Sequence, residues 1–437
     1  MFKINLEDTN YRAKIVQLKA PKKHSGADRL ICWTIDFQQV ITNLDYKEGD
    51  VVVYFPVECC VNKDLISFID GFEDKTSNKN QENKGFFNKH GRVRAISLRK
   101  EKSQGFVLPI SVIFSFLNKE CKYEIGQEFD SFNDVVLCKK YIAFVRERNN
   151  SIKSDRKVVK KISRLVENQF RLHNDTENLR RNSEKINPED FIGIHYKKHG
   201  TSFVVGNVLV KKKLKWYEKA LKQLKIDINT TEYDYVYSSR KVVKNEFETQ
   251  NVNGFYNEDI WGVVKEELIG KILKGYTLYG EIIGFLPSGG AIQGEYDYGC
   301  QKGEHKTYIY RITITNIDGQ VIELDDLQIE QYCEKFNLLY KDTFIYYGKA
   351  KDLYPNLDVN NHWNEEFVKQ LEIDYNERDC YMCVSKLPEE GIIVRKVDLF
   401  DYQAFKLKSA RFLEWETKEL DKEVIDIESQ ELIEENA

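Results

Sequence analysis

Along the first 140 residues, hydrophobic and polar positions alternate in short runs. "AKIVQLK", "RLICWTID", "VVVYFPV", "GRVRAISLR" and "GFVLPI" are rich in β-branched and aromatic residues and are separated by turn formers, the pattern of short strands. With no helical period between them, they predict a small β-barrel over residues 1–142. Inside it, "DKTSNKNQENKG" (Asp74 to Gly85) has no apolar residue and is expected to be a mobile surface loop. The texture then changes. Residues 143–188, including "RKVVKKISRLVENQFRLHNDTENLRR", scatter Ile, Val and Leu among charges and read as a charged helical linker. Residues 189–412 mix helical runs with strand-like ones such as "TSFVVGNVLV", "YTLYGEIIGF", "TYIYRITITN" and "EGIIVRKV", which predicts one α+β domain. Within it "KKKLKWYEKALKQLK" reads as a basic amphipathic helix, with a solvated face as its first role and RNA contact as its second. Residues 413–437 are acidic and read as a solvated helix or tail. No period of 20 to 50 residues recurs, which disfavours a solenoid or propeller.

Composition narrows the setting more than the chemistry. The chain has 437 residues, enough for two or three cores, and its net charge of -4 conceals patches of both signs. No run approaches the roughly 18 apolar residues of a membrane span, and "MFKINLEDTNYRAK" lacks the apolar region of a signal peptide. A cytoplasmic monomer without a membrane partner is the expectation. Nine cysteines, an odd count, argue for reduced thiols. Cys380 and Cys383 have C-x-x-C spacing but no second pair or histidines nearby to complete a zinc site, so they read as ordinary semi-buried cysteines on a strand.

The candidate chemistry starts at "HYKKHGTSFVV", His195 to Val205. A lysine attacks phosphorus only when deprotonated, and its ordinary pKa of about 10.4 must be lowered by its site. Alone, the stretch is a basic turn before a strand, with Gly200 allowing close backbone approach or a positive-φ turn. Downstream, polar residues recur in order on strand-like runs: "SSRK", "YGEIIG", "YIYRI", "EGIIVRK" and "FKLKS". Each suits a task at a nucleotide phosphate: arginine or paired lysines for phosphate, glutamates for a ribose hydroxyl or divalent metal, an aromatic for the base. Carboxylates embedded in apolar strands need a partner or a metal. Lys406 and Lys408 share one strand face, and two ammoniums there call for an anion between them.

This ordered set, over about 210 residues, resembles motifs I, Ia, III, IIIa, IV and V of the covalent nucleotidyltransferases, that is, polynucleotide ligases and RNA capping enzymes. The K-x-H-G form with "EGIIVRK" and "FKLKS" is most similar to RNA ligases. The resemblance implies that Lys197 attacks the α-phosphate of ATP, releasing pyrophosphate and forming lysyl-AMP, while Lys198 is a bystander. AMP then passes to an RNA 5′-phosphate, and a 3′-hydroxyl attacks to seal the strand. It further implies a phosphate or RNA-end grip for Arg240, ribose or metal waters for Glu281, a metal (magnesium or manganese) for Glu390, and adenine stacking for Tyr310, with Tyr308 second. Lys406 and Lys408 are implied at the α-phosphate, and His199 and Gly200 beside the nucleotide. Three positions depart from the pattern: Tyr196 stands where many relatives have Glu, His199 where others have Asp, and Arg311 in place of the motif IIIa aspartate.

Residues 12–109 also resemble the amino-terminal OB-fold module of one RNA ligase branch, on "KKHSGADRL", "GDVVVYFPVE" and "GRVRAISLRKEKSQGFVLPI". Such a barrel offers a groove for a phosphate backbone, with Lys22, Lys23, Arg92, Arg94, Arg99 and Lys100 as candidate RNA contacts. The alternative on one strand is the solvated side of a sheet. The whole reading is an ATP-dependent RNA ligase for 3′-hydroxyl and 5′-phosphate ends. A DNA ligase or capping enzyme and a non-catalytic RNA- or tRNA-binding protein are its rivals.

Overall fold

The computed structural model describes residues 1–5, 9–142, 164–244, 258–340, 345–375 and 377–422. The strands of the amino-terminal part pair antiparallel: Val51–Phe55 pairs with Phe106–Pro109 on one side and with Ala13–Gln17 on the other, and Ala13–Gln17 carries Glu128–Phe129 at its edge. It also contains two hairpins, Leu30–Ile35 with Gln38–Asn43 and Ala95–Leu98 with Glu101–Gln104, and the pair Cys59–Val61 with Cys138–Lys140. Alternation puts Ala13, Ile15, Val53 and Phe55 into one core and Val52, Tyr54 and Val107 into a second on the opposite face. "ISVIFSFL", continuous with a predicted strand, is instead the helix Ile110–Leu117, ended by Asn118 in the left-handed conformation. The Asp74–Gly85 loop is pinned by buried Asn78, which binds both the N–H and the carbonyl of Phe72 before the loop and the carbonyl of Asn83 within it.

The carboxy-terminal part is built on two sheets. The smaller runs in the order Glu177–Asn178, Gln403–Lys408, Gly391–Lys396, Phe191–Tyr196, Tyr346–Lys349. The larger is centred on Thr201–Lys211, flanked by Thr231–Ser238 and Tyr276–Gly284, with His305–Thr315 beyond. Helices Ile260–Leu268 and Asp326–Phe336 cover the large sheet, and Trp363–Tyr375 covers the small one. The four predicted strand runs are strands.

Two expectations need correction. The described part of the supposed linker is extended chain with single 3-10 turns and no α-helix. Leu165 bridges to Val210 in the large sheet, while Glu177–Asn178 joins the small one. Its apolar residues lack a helical stripe because it is a strap across both sheets. A boundary at 412 also cuts the helix Ala410–Asp421, whose Phe412 and Leu413 are buried. Residues 143–163 and 423–437 lie outside the described residues. No described helix is long and apolar enough to cross a membrane, and all nine cysteines are free, with Cys380 buried beside a loop bridge rather than on a strand.

Candidate active site

Lys197 to Gly200 form the link by which the chain leaves the small sheet after Tyr196 and enters the large one at Thr201. A turn bridging two sheets must be held from both sides. The Lys197 N–H donates to the Gly391 carbonyl at 2.8 Å on the small-sheet side. The His199 N–H donates to the Tyr298 hydroxyl at 2.6 Å, and Gln293 Nε2 donates to the Gly200 carbonyl at 3.0 Å. Gly200 is required for close packing rather than for a left-handed turn: a Cβ there would lie 2.3 Å from the Ile282 carbonyl oxygen. Gly391 does need its conformation, with φ at +142° and the Leu407 carbonyl 2.1 Å from a would-be Cβ.

The two lysines part company on this turn. Lys197 Nζ lies 2.8 Å from Glu390 Oε1. Lys198, 6% exposed, sits 3.1 Å from Met382 Sδ and 3.3 Å from the Tyr381 hydroxyl, with the rings of Tyr298, Tyr308 and Tyr381 around its ammonium. Those rings make a cation–π cage around the ammonium. Glu390 is buried. Its second oxygen has no hydrogen-bond partner and faces the His199 ring at 3.8 Å. The His199 ring is in turn packed edge-on against Tyr296, Phe412 and Trp415.

The remaining candidates converge on one cavity of about 1360 Å³, counting its open mouth. Lys197, His199, Arg240, Glu281, Tyr310, Glu390, Lys406 and Lys408 all line it. Glu281, on the large sheet, accepts from the Ser202 hydroxyl at 3.1 Å. The ladder between Tyr276–Gly284 and His305–Thr315 slips at Tyr279/Gly280, leaving Tyr310 unpaired as a bulge, and its hydroxyl is 2.8 Å from His173 Nδ1. Arg240 is fixed by Asp175 at 2.7 Å. Burial raises the Asp175 pKa, but Arg240 outweighs it and brings the carboxyl down to about 2.

One of the paired lysines already meets carboxylates of the protein itself. Lys408 Nζ lies 3.0 Å from Glu58 of the amino-terminal module and 3.1 Å from Glu416 of the last helix. Burial alone would lower the Lys408 pKa; Glu416, Glu58 and Glu390 hold it well above its ordinary value. Burial pushes Glu58 up, and Lys408, Glu416 and Lys406 bring it down to about 2. Glu58 holds φ at +68°, a strained conformation for a residue with a side chain. Glu58, His173, Gln293, Tyr298 and Glu416 were not legible in the sequence, because each comes from a module, strap, loop or tail that only the fold brings to the motifs.

Some candidates lie elsewhere. Arg311 is a core residue, paired with Glu323 at 2.9 Å and stacked on Tyr279 and Tyr402. Arg92 and Arg94 do not share an exposed basic face: Arg92 is 2% exposed and donates to the Thr417 carbonyl at 3.0 Å, and Arg94 pairs with Glu73 and Asp421. They dock the last helix, with Arg92 reaching the cavity wall. Arg99 and Lys100, both at positive φ, form the exposed turn of a hairpin outside the cavity. Among the described residues, no three His, Cys, Asp or Glu side chains cluster to hold a metal by themselves.

Comparison with known proteins agrees with this architecture. An OB-fold domain model matches residues 12–110. No curated protein matches the chain by sequence. Among solved structures, a mutant Naegleria gruberi RNA ligase with AMP and Mn is similar, at TM-score 0.55 and 17% identity over 92% of this chain and 98% of that one. The same organism's RNA ligase with PPi is similar at TM-score 0.55 and 17% identity, over 93% and 98%. A further mutant of it, with ATP and Mn, has the same score and identity over 92% and 98%. The chain therefore has the fold of these RNA ligases, an OB-fold module followed by an α+β domain of antiparallel sheets.

Proposed function

We propose that this protein is an ATP-dependent RNA ligase that joins 3′-hydroxyl and 5′-phosphate ends in RNA repair, through lysyl-AMP and then an adenylylated RNA 5′ end. The observation that carries the reading is the convergence of Lys197, Glu281, Glu390, Lys406 and Lys408 on one cavity. A non-catalytic RNA-binding protein has no need to keep a lysine and two buried-edge carboxylates facing a pair of lysines.

In the first step the Lys197 nitrogen bonds to the α-phosphorus of ATP, the bond to the bridging oxygen breaks, and pyrophosphate leaves. The lysine must shed its proton first. The carboxylate of Glu390, with Oε1 2.8 Å from the Lys197 nitrogen, accepts that proton. The second, buried oxygen of Glu390, which has no hydrogen-bond partner, would hold a divalent cation, since hard oxygen donors fit magnesium or manganese. Such a cation would supply charge neutralisation for the phosphates. Lys406 and Lys408 face the same charge, and Tyr310, which lines the cavity at its bulge, offers a ring to the base. In the later steps AMP moves from Lys197 to an RNA 5′-phosphate, which the 3′-hydroxyl attacks with release of AMP; Arg240 holds the phosphate end.

Incubation with ATP, magnesium or manganese and RNA bearing a 5′-phosphate should give adenylylated and then sealed RNA, and RNA with a 5′-hydroxyl should give neither. Binding of the phosphorylated RNA with no adenylylated or sealed product would favour the non-catalytic reading instead.

A further inference from the structure

The hairpin of Thr201–Lys211 and Thr231–Ser238 pairs from Val204 opposite Ser238 out to Lys211 opposite Thr231. Its base adjoins the cavity, where Ser202 and Arg240 are lining residues. At about 3.3 Å per residue its tip stands roughly 25 Å away. The tip carries the helix Trp216–Gln223, in which no residue is buried. Trp216 is 82% exposed and Leu224 just beyond it 72% exposed. Short helices in water normally persist by burying a face, and this one is held mainly by local polar contacts: the Lys215 N–H donates to Glu218 Oε2 at 2.8 Å, and Lys212 pairs with Glu218 at 2.5 Å. Those contacts occupy the one acidic residue of a segment, 211–225, that has seven lysines.

An exposed indole among lysines fits a polyanion with flat bases, since stacking and phosphate pairing use both features together. Eight helical residues offer little apolar area for a lipid surface, where stable anchoring takes more than one such signal. Resting on the RNA ligase reading, we infer that this tip binds the RNA arm flanking the ligation point, with Trp216 against a base or terminal pair and Lys219, Lys222 and Lys225 on phosphates. At 3.4 Å per nucleotide step, the spacing corresponds to about seven nucleotides from the cavity.

The test uses Trp216→Ala and the combined Lys219→Glu, Lys222→Glu, Lys225→Glu protein, with RNAs whose arms extend about four or about twenty nucleotides from the junction, spanning the distance set by strand rise. Both variants should form lysyl-AMP from ATP as the parent does and seal short-armed RNA equally well. On long-armed RNA they should lose about tenfold in binding and sealing, with a salt dependence shallower by about two to three phosphate contacts in the triple variant. Unchanged long-arm binding, equal loss on both arm lengths, or loss of binding to phosphatidylserine vesicles in place of RNA would each overturn the inference. Gel-shift binding needs no ATP, so it decides the tip's role even if the parent protein forms no adduct, an outcome that counts against the ligase reading alone.

Discussion

At the scale of single residues, the structure separates two adjacent lysines that the sequence leaves equivalent except by family resemblance. Lys197 meets a carboxylate at the cavity, and Lys198 enters a cage of tyrosines. Glu281, Lys406 and Lys408 stand out in the sequence because each is a charge on an apolar strand, an arrangement that costs free energy without a partner, whereas Lys197, Arg240 and Tyr310 are named through the family resemblance. Their partners could not be named, because Glu58 and Glu416 lie 350 and 8 positions from Lys408 and only packing joins them. Glu390→Gln keeps the shape and removes the charge. It should lower the rate of lysyl-AMP formation by about 10² to 10³ with little change in thermal midpoint, measured by rapid-quench labelling with ATP and by calorimetry. Gly200→Ala should fail differently. Its new methyl meets the Ile282 backbone carbonyl, which cannot swing aside, so an overpacking loss of about 1–3 kcal/mol in denaturant stability should accompany lost activity.

At the scale of elements, strand positions were readable from alternation, while the irregularities that make the site were not. The bulge at Tyr310 breaks the period by one residue, and "YIYRI" contains no glycine or proline to announce it. The strap 164–188 reads as a helix because its charges mask short extended segments that pair only with distant strands. Through it, His173 reaches Tyr310 and Asp175 reaches Arg240. If the bulge serves to present the ring, Tyr310→Phe, which loses the hydroxyl's bonds to His173 and Ser202 but keeps the ring, should leave the ATP KM for adenylylation within about threefold. Tyr310→Leu should raise it about tenfold, the value of one base stack.

At the scale of the molecule, the cavity is a joint product of both modules. The amino-terminal residues expected to track RNA, Arg92 and Arg94, instead dock the last helix, and Glu58 closes an ion pair on Lys408. Sequence patterns gave the two modules but not how they meet, since the contacts are single charges in otherwise ordinary strands. The Glu58 link has a pH signature. Its carboxyl is depressed to about 2, below an ordinary glutamate near 4.3, so its contribution to stability is present above about pH 4.3 and is lost as pH falls toward 2. Thermal midpoints of the parent and of Glu58→Gln should therefore differ at pH 6 and converge as the pH approaches 2; a difference that stays constant over that range would show that the pair does not couple the modules.

The central claim is that Lys197 becomes the site of covalent AMP attachment, and intact-mass and peptide mapping after incubation with ATP and manganese tests it most directly. The account predicts a gain of one AMP per chain, acid-labile, carried by Lys197 and absent from Lys197→Ala, while Lys198→Ala retains the adduct. No adduct, an adduct on Lys198, or one that persists in Lys197→Ala would contradict it.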